Sequence, residues 1–513
     1  MKPITSALFA VIASALLAST AGAATCESLK AMTIPNVTIV SAESVAAGPF
    51  VQPGRGGAPA PAPAAQAGGG RGAPAQTIPA HCRVKLVLKP SSDSNINAEL
   101  WMPSADWNGK FLAVGNGGFG GAIQGYNDMQ VALRRGYATA GNDTGHSAAD
   151  GPNGMFALGH PEKIVDFSHR AMHEMVVTSK RLVDAFYSKP VQFSYYKGCS
   201  TGGRQGVMAA QRFPEDFDGI IAGALANRHI QMHTAGVARS IELSRHPDQA
   251  ISASKAEMVS KAIMNACDPQ KEGFVNNPRA CTFDVSKLAC STTSGADTNS
   301  CLTPAEMKTV NTFYNGLKNS KGELIFSGQQ ITNPLPALAP PTGAPGGGFD
   351  TVRIWGFQNA DYDWKTFDLD RDMPIINAKT GFVDAVDPDL SKFKARGGKL
   401  LLYAGWADTG ITPENTVLYY DSVLQKMGKN QSDFTRLFMV PGMGHCGGGA
   451  GPNTFDTIGA LEAWREKSTP PAEITAFNPQ TGLSRPICPY PQYAKYKGTG
   501  NMKDAANWSC VAP

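Results

Sequence analysis

The sequence predicts an α/β fold: a mostly parallel sheet covered by helices on both faces and interrupted by one long insertion. Three observations predict it. From about Arg83 short β-rich runs alternate with helical stretches, two of those runs end in glycine-rich turns, and the rhythm stops between about Leu225 and Ala395 before it resumes. Strands that alternate with helices pair in parallel, and their crossovers cover the sheet faces.

The elements follow in order. Lys110–Val114 reads as a strand running into the turn 115–121 (GNGGFGG), and Tyr137–Ala140 as the next strand. Ile164–Phe186 is a long amphipathic helix, followed by strand Phe193–Tyr196, helix Gly202–Phe213 and strand Gly219–Ala222. After the gap come strand Lys399–Ala404, helix Pro413–Lys426, strand Arg436–Val440 and helix Phe455–Trp464. The gap contains four cysteines and the turn-rich NPLPALAPPTGAPGGG, which reads as an inserted subdomain, a lid. The expected organisation is residues 1–23 as a signal peptide, 24–224 as the first part of the core, 225–395 as the lid and 396–513 as the second part of the core. A Gly/Pro/Ala-rich stretch at 54–75 has no apolar face to bury and reads as a loop.

Composition excludes some functions. With 46 Lys+Arg against 42 Asp+Glu the net charge is +4, and no block of like charge stands out, so neither a nucleic-acid nor a membrane-surface role is expected. A 513-residue chain that is 42% hydrophobic is long enough for about three domains or one large interrupted one, and it is not mainly disordered.

The compartment decides how the cysteines are read. Lys2, the apolar run Ala7–Ala18 and the small residues Ala21-Gly22-Ala23 form a cleavable export signal, too short to span a bilayer. A secreted or periplasmic protein follows, in a compartment where thiols oxidise. All ten cysteines lie after the signal and none form a CxxC pair, so up to five disulfides are expected and no zinc site.

The chemistry centres on Gly198-x-Ser200-x-Gly202 between a strand and a helix. That setting is a nucleophile elbow, in which side chains two residues either side of the serine would collide and the helix N-terminus faces the site. A serine hydroxyl needs a base, and the base an orienting acid. Asp408 follows the strand KLLLYA and His445 follows the strand ending at Val440, in the order Ser, acid, base. Asp384, Asp387 and Asp389 are rivals for the acid, in a turn-rich stretch before the strand. Cys199 precedes Ser200 and Cys446 follows His445, so a working triad would bring the two cysteines within bridging distance. The developing oxyanion needs amide donors: Thr201, just after the nucleophile, and Gly117 or Gly118 of the glycine-rich turn. His169 and His173, at helical i, i+4 spacing, read as helix packing, since no third metal ligand is evident. Trp355, Phe357, Tyr362 and Trp364 cluster in the insertion and read as lid packing at least as well as pocket lining.

The segments GCSTGGRQG at 198–206, GWAD at 405–408 and GHC at 444–446, with ALGHPEKIVDFSHRAMHEM, QRFPEDFDGIIAGA and NDTGHS, resemble the tannase and feruloyl esterase family over nearly the whole mature chain. The resemblance implies an α/β-hydrolase core with an inserted lid carrying the substrate pocket, the triad Ser200, Asp408 and His445, and the bridge Cys199–Cys446. It also implies the pairs Cys26–Cys82, Cys267–Cys281, Cys290–Cys301 and Cys488–Cys510. Members of the family carry a structural calcium on a lid loop resembling CDALDGVKDGVIDDP. Here the corresponding text is ACDPQKEGFVNNP from Ala266 to Pro278, in which Asp268 matches, Glu272 replaces an aspartate and the central LDGV is missing. Calcium takes roughly six to eight oxygens with several carboxylates. No cofactor is therefore required, a lid calcium is the lesser reading, and the 267–281 bridge is expected to hold the loop. The expected activity is a serine carboxylesterase acting on a small-molecule aromatic ester, of feruloyl or other hydroxycinnamoyl, galloyl or terephthalate-monoester type. The alternatives are a general carboxylesterase or amidase on the same scaffold, or a non-catalytic ligand-binding relative. The sequence is silent on oligomeric state.

Overall fold

In the computed structural model, residues 24–52, 77–291 and 300–513 are described, so the signal at 1–23 and the loop at 54–75 lie outside the described residues. A nine-stranded sheet runs through the molecule. Its strands in chain order are β1 (Val37–Val45), β2 (His81–Leu88), β3 (Ile96–Pro103), β4 (Lys110–Val114), β5 (Ala138–Asn142), β6 (Phe193–Cys199), β7 (Gly219–Gly223), β8 (Lys399–Gly405) and β9 (Thr435–Val440). In space the order is β1-β2-β3-β5-β4-β6-β7-β8-β9. From β5 to β9 every pairing is parallel, while β1–β2, β2–β3 and β3–β5 are antiparallel.

The central strands are buried on both faces, which is why they read as unbroken apolar runs rather than alternating ones. Successive side chains nevertheless enter different cores. Phe111, Ala113, Leu400 and Leu402 face helices α2 (Ala171–Tyr187), α3 (Thr201–Arg212) and α8 (Pro413–Met427). Leu112, Val114, Leu401 and Tyr403 face α1 (Tyr126–Arg134) and α9 (Thr457–Lys467).

The segment between β7 and β8 holds α4 (His229–Arg245), α5 (Ala253–Cys267), α6 (Pro304–Asn315) and α7 (Leu369–Thr380). It builds two apolar clusters, one around Ile230, Val352, Trp355 and Ile376 that it shares with Phe156 and Phe167, and one of its own around Ile251, Val259 and Val310. Trp355 is buried between Phe156, Phe167 and His229, so it packs rather than lines a pocket, and Phe357 stacks on Tyr362.

Arg204 is one of the residues that tie this segment to the core. The helical stretch before α2 widens into a π-turn over Asp166–Arg170. There the carbonyls of Phe167 and Ser168 accept from Arg204, at 3.0 and 2.9 Å, and the same guanidinium reaches Val383 O at 3.2 Å. Arg204 is fully buried and its guanidinium lies over the Phe167 ring. Burial lowers its pKa to about 10, which leaves it charged at neutral pH.

Helix α3 packs on β7 through bare backbone: a Cβ at Gly203 would stand 2.2 Å from Gly223 O. Helix propensity alone predicts that Gly203→Ala stabilises by about 1 kcal/mol. The contact predicts the opposite sign, a loss of roughly 1–3 kcal/mol, to be read from denaturant unfolding.

Candidate active site

Ser200 sits at the end of β6 with φ 64° and ψ −123°, backbone that an L-residue rarely adopts. Such a conformation costs on the order of 1–3 kcal/mol and persists only where the surroundings over-determine it. Here they do. Ser200 N–H donates to Gly223 O at 3.0 Å, and Ser200 O accepts from Arg204 N at 3.1 Å and Ala226 N at 3.2 Å. The flanking glycines are required by space. A Cβ at Gly198 would stand 2.7 Å from the Gly202 backbone and 2.5 Å from Tyr196 Oη, and one at Gly202 would stand 3.0 Å from Asn116 O.

Asp408 is fully buried just beyond β8. Its Oδ1 accepts from the amides of Gly410 and Ile411, at 2.8 and 2.9 Å, and its Oδ2 is 2.8 Å from His445 Nδ1. The carboxylate is thus fixed by two amides and turned to one imidazole, which places the proton of a neutral His445 on Nδ1 and leaves Nε2 as the basic nitrogen. Each rival aspartate is engaged elsewhere: Asp384 accepts from Ile230 N, Asp387 from Asp389 N, and Asp389 from Ser391 N.

Cys199 and Cys446 form a disulfide with a Cα separation of 5.9 Å, so the residues adjoining Ser200 and His445 are covalently joined. The Ser200 hydroxyl and His445 Nε2 are not hydrogen-bonded; in serine hydrolases such contacts often tighten only with substrate. The other pairs are Cys26–Cys82, Cys267–Cys281, Cys290–Cys301 and Cys488–Cys510.

The glycine-rich turn 115–121 lies against the start of α3. Its Asn116 N–H donates to Gln205 Oε1 at 3.0 Å, and Thr201 Oγ1 donates to Gly118 O at 2.6 Å. The two glycine candidates are not equivalent. Gly117 N–H is taken by Gln124 Oε1 at 2.7 Å, whereas Gly118 N–H has no partner among the described residues and Thr201 N–H lies in the open first turn of α3.

Sequence reading missed the support from the inserted segment. Asn333, buried, donates to Asp408 O at 3.1 Å, and Ser327 is hydrogen-bonded to Thr412. A lone asparagine in a proline-rich stretch carries no signal that could have singled it out. His169 and His173 lie away from this site: His173 Nδ1 is 2.9 Å from Asp216 Oδ2 and its ring stacks on Phe213.

Beneath the glycine-rich turn lies a cluster of histidines, His146 and His229 buried and His233 half-buried. Phe119 packs on His229 and His233, and His146 stacks on Phe156 with ring centroids 3.6 Å apart. Desolvation pulls His146 and His233 down to about 4 and His229 well below the usual histidine range, so all three are neutral near pH 7.

The loop 266–278 does not suit calcium. Asp268 accepts from the amides of Glu272 and Gly273, at 3.3 and 2.8 Å. Glu272 is gripped by Arg485, with Nη2–Oε1 at 2.9 Å and Nη1–Oε2 at 3.1 Å, and Asn276 Oδ1 takes the same guanidinium at 2.6 Å. Arg485 is fully buried against the Trp508 ring, 3.5 Å from its centroid. A cation of the chain's own already stands where these oxygens converge, and a divalent ion beside it would be repelled.

A family model described as tannase and feruloyl esterase matches residues 82–344 and 347–511. An uncharacterised esterase of Xanthomonas campestris pv. campestris is 35% identical over 97% of this chain and 93% of its own length. A probable feruloyl esterase B-1 of Aspergillus oryzae is 34% identical over 84% of each chain. Among solved structures, feruloyl esterase B from Aspergillus oryzae superposes with a TM-score of 0.82 at 31% identity, over 95% of this chain and 99% of that one. Tannin acyl hydrolase from Aspergillus niger shares the fold, with a TM-score of 0.71 at 21% identity over 94% and 93% of the two chains. The core is that of an α/β hydrolase.

Two outcomes follow. A chelator should leave the Tm unchanged, whereas Arg485→Met, which strands Glu272, should cost about 3 kcal/mol in denaturant unfolding. The depressed folded pKa of His146 means that the unfolded chain takes up a proton below about pH 6.5 that the folded chain refuses until about pH 4. That stability is complete above pH 6.5 and lost as pH falls. His146→Phe should therefore lose roughly 1–2 kcal/mol less than the parent between pH 7 and pH 5.

Proposed function

We propose a mechanism and a substrate class from one premise: this chain belongs to the tannase and feruloyl esterase family, and it is a carboxylic ester hydrolase. Ser200 attacks the ester carbonyl while His445 Nε2 takes its proton, Asp408 stabilising the imidazolium through Nδ1. The amides of Thr201 and Gly118 hold the oxyanion, Gly117 being spent on Gln124. His445 returns the proton to the leaving alcohol, and water then releases the acyl group by the same base. The observation that carries this reading is the Asp408–His445 pair, anchored by two amides and tied through Cys446–Cys199 to the strained Ser200.

The acyl class is that of aromatic acids, hydroxycinnamic, gallic or terephthalic. Support comes from relatives named feruloyl esterase. The enzyme is secreted or periplasmic. The five disulfides fit an oxidising compartment, the N-terminal segment has the form of an export signal, and no helix of the described residues is long and apolar enough to cross a membrane.

Initial rates on methyl ferulate, methyl gallate, chlorogenate, a terephthalate monoester and p-nitrophenyl butyrate, with Ser200→Ala alongside, test both parts. Turnover of an aromatic ester that drops at least about 10³-fold in the variant is expected. Cleavage of p-nitrophenyl butyrate alone would sink the aromatic-acid assignment, and a Ser200→Ala enzyme of full activity would sink the triad.

A further inference from the structure

A cavity of about 1180 Å3 lies between α4, α6, the start of α7 and the turn after Asp408, whose Thr409 and Gly410 form part of its wall. Gly410 backs the catalytic imidazole: a Cβ there would stand 3.3 Å from His445 Cγ. No residue of the glycine-rich turn 115–121 lines this cavity. Its wall reaches the site through Gly410, behind His445, the residue that hands the proton to the leaving alcohol. At this size it can enclose a drug-sized group.

Among the charged residues of its wall Arg239 stands apart. Glu242 is paired with Lys308, Arg245 donates to Lys365 O, Asp368 caps α7 and Asp370 accepts from Ser320 N. Lys318 is exposed. Arg239 is half-buried and has no hydrogen bond, ion pair or ring contact with any described residue. Burial alone lowers its pKa, with no carboxylate to oppose it. A desolvated guanidinium is costly unless something pairs with it, and its planar fork matches a carboxylate through two parallel hydrogen bonds.

We propose that Arg239 receives a carboxylate carried by the alcohol part of the ester, so that the preferred substrates are aromatic-acid esters of hydroxy acids. This rests on the esterase reading above. Hydrolysis then yields an aromatic acid and a free hydroxy acid, both anions at neutral pH.

The test uses a matched pair, chlorogenate and the methyl ester of its quinate carboxylate, which present the same caffeoyl bond with and without the charge. The parent enzyme should favour chlorogenate by roughly tenfold or more in kcat/KM, mainly through KM. In Arg239→Gln that ratio should fall toward one, and Arg239→Lys should restore part of it. Equal rates on the pair in the parent, or an unchanged ratio in Arg239→Gln, would overturn the proposal. A loss in Arg239→Gln confined to a terephthalate monoester, whose carboxylate is on the acyl part, would overturn the alcohol-side placement. Should the variants fail to fold, the parent still decides: quinate should compete with methyl caffeate roughly tenfold better than methyl quinate does, and equal inhibition would count against Arg239. Methyl caffeate turnover without carboxylate preference would remove this inference alone. No turnover of any aromatic ester would remove the reading beneath it and this inference with it.

Discussion

The backbone at Ser200 is the constraint on which the rest of the site depends. A residue held at φ 64° cannot be stabilised by its own preferences, so its neighbours must supply the energy. They do so by approaching closer than side chains allow. Gly198 and Gly202 meet backbone to backbone, Gly203 presses on Gly223, and the tight turn leaves the first amides of α3 facing outward. The same proximity brings the 115–121 turn against α3, where Gln205 and Thr201 bind it. Ser200 and the two amides proposed to hold the oxyanion are thus set by one packing event rather than by separate ones.

The inserted segment contributes to that site by holding, not only by covering. Arg204 gathers carbonyls from the π-turn and from Val383, so the helix behind the nucleophile is bolted to the inserted segment. Asn333 does the same for the acid loop. Movement of this segment would disturb both ends of the triad. Farther away, Arg485 shows how a loop can lose its resemblance to a metal site and remain ordered. A guanidinium on an aromatic ring takes over the charge that a divalent ion would bring, and the carboxylate beside it stays paired.

Much of the core was legible because its signals are local. The apolar runs at 111–114, 219–223, 400–405 and 437–440 are too continuous for half-exposed strands and too short for helices. The antiparallel edge was harder. β1, β2 and β3 precede the βα rhythm, β1 is mostly exposed, and their pairing is set by partners rather than by pattern. The long helix expected over 164–186 is present but broken by the π-turn, a feature that exists because Arg204 needs the carbonyls it frees. Of the two oxyanion candidates, the text GG could not choose, because the choice lies in the side chain of Gln124.

The sequence by itself determined the candidates and their order: a glycine-flanked serine, a later aspartate, a last histidine and two cysteines that meet if the others do. Those follow from sterics and proton transfer, which act over one or two residues. The tertiary structure alone decided which groups are spent and which are free. Gly117, Glu272 and the three rival aspartates are engaged by partners far along the chain or in their own turns, while the Gly118 amide and the Arg239 guanidinium have no partner among the described residues. A hydrogen bond needs its partner within about 3 Å and in line, and spacing along a chain does not fix distance in space.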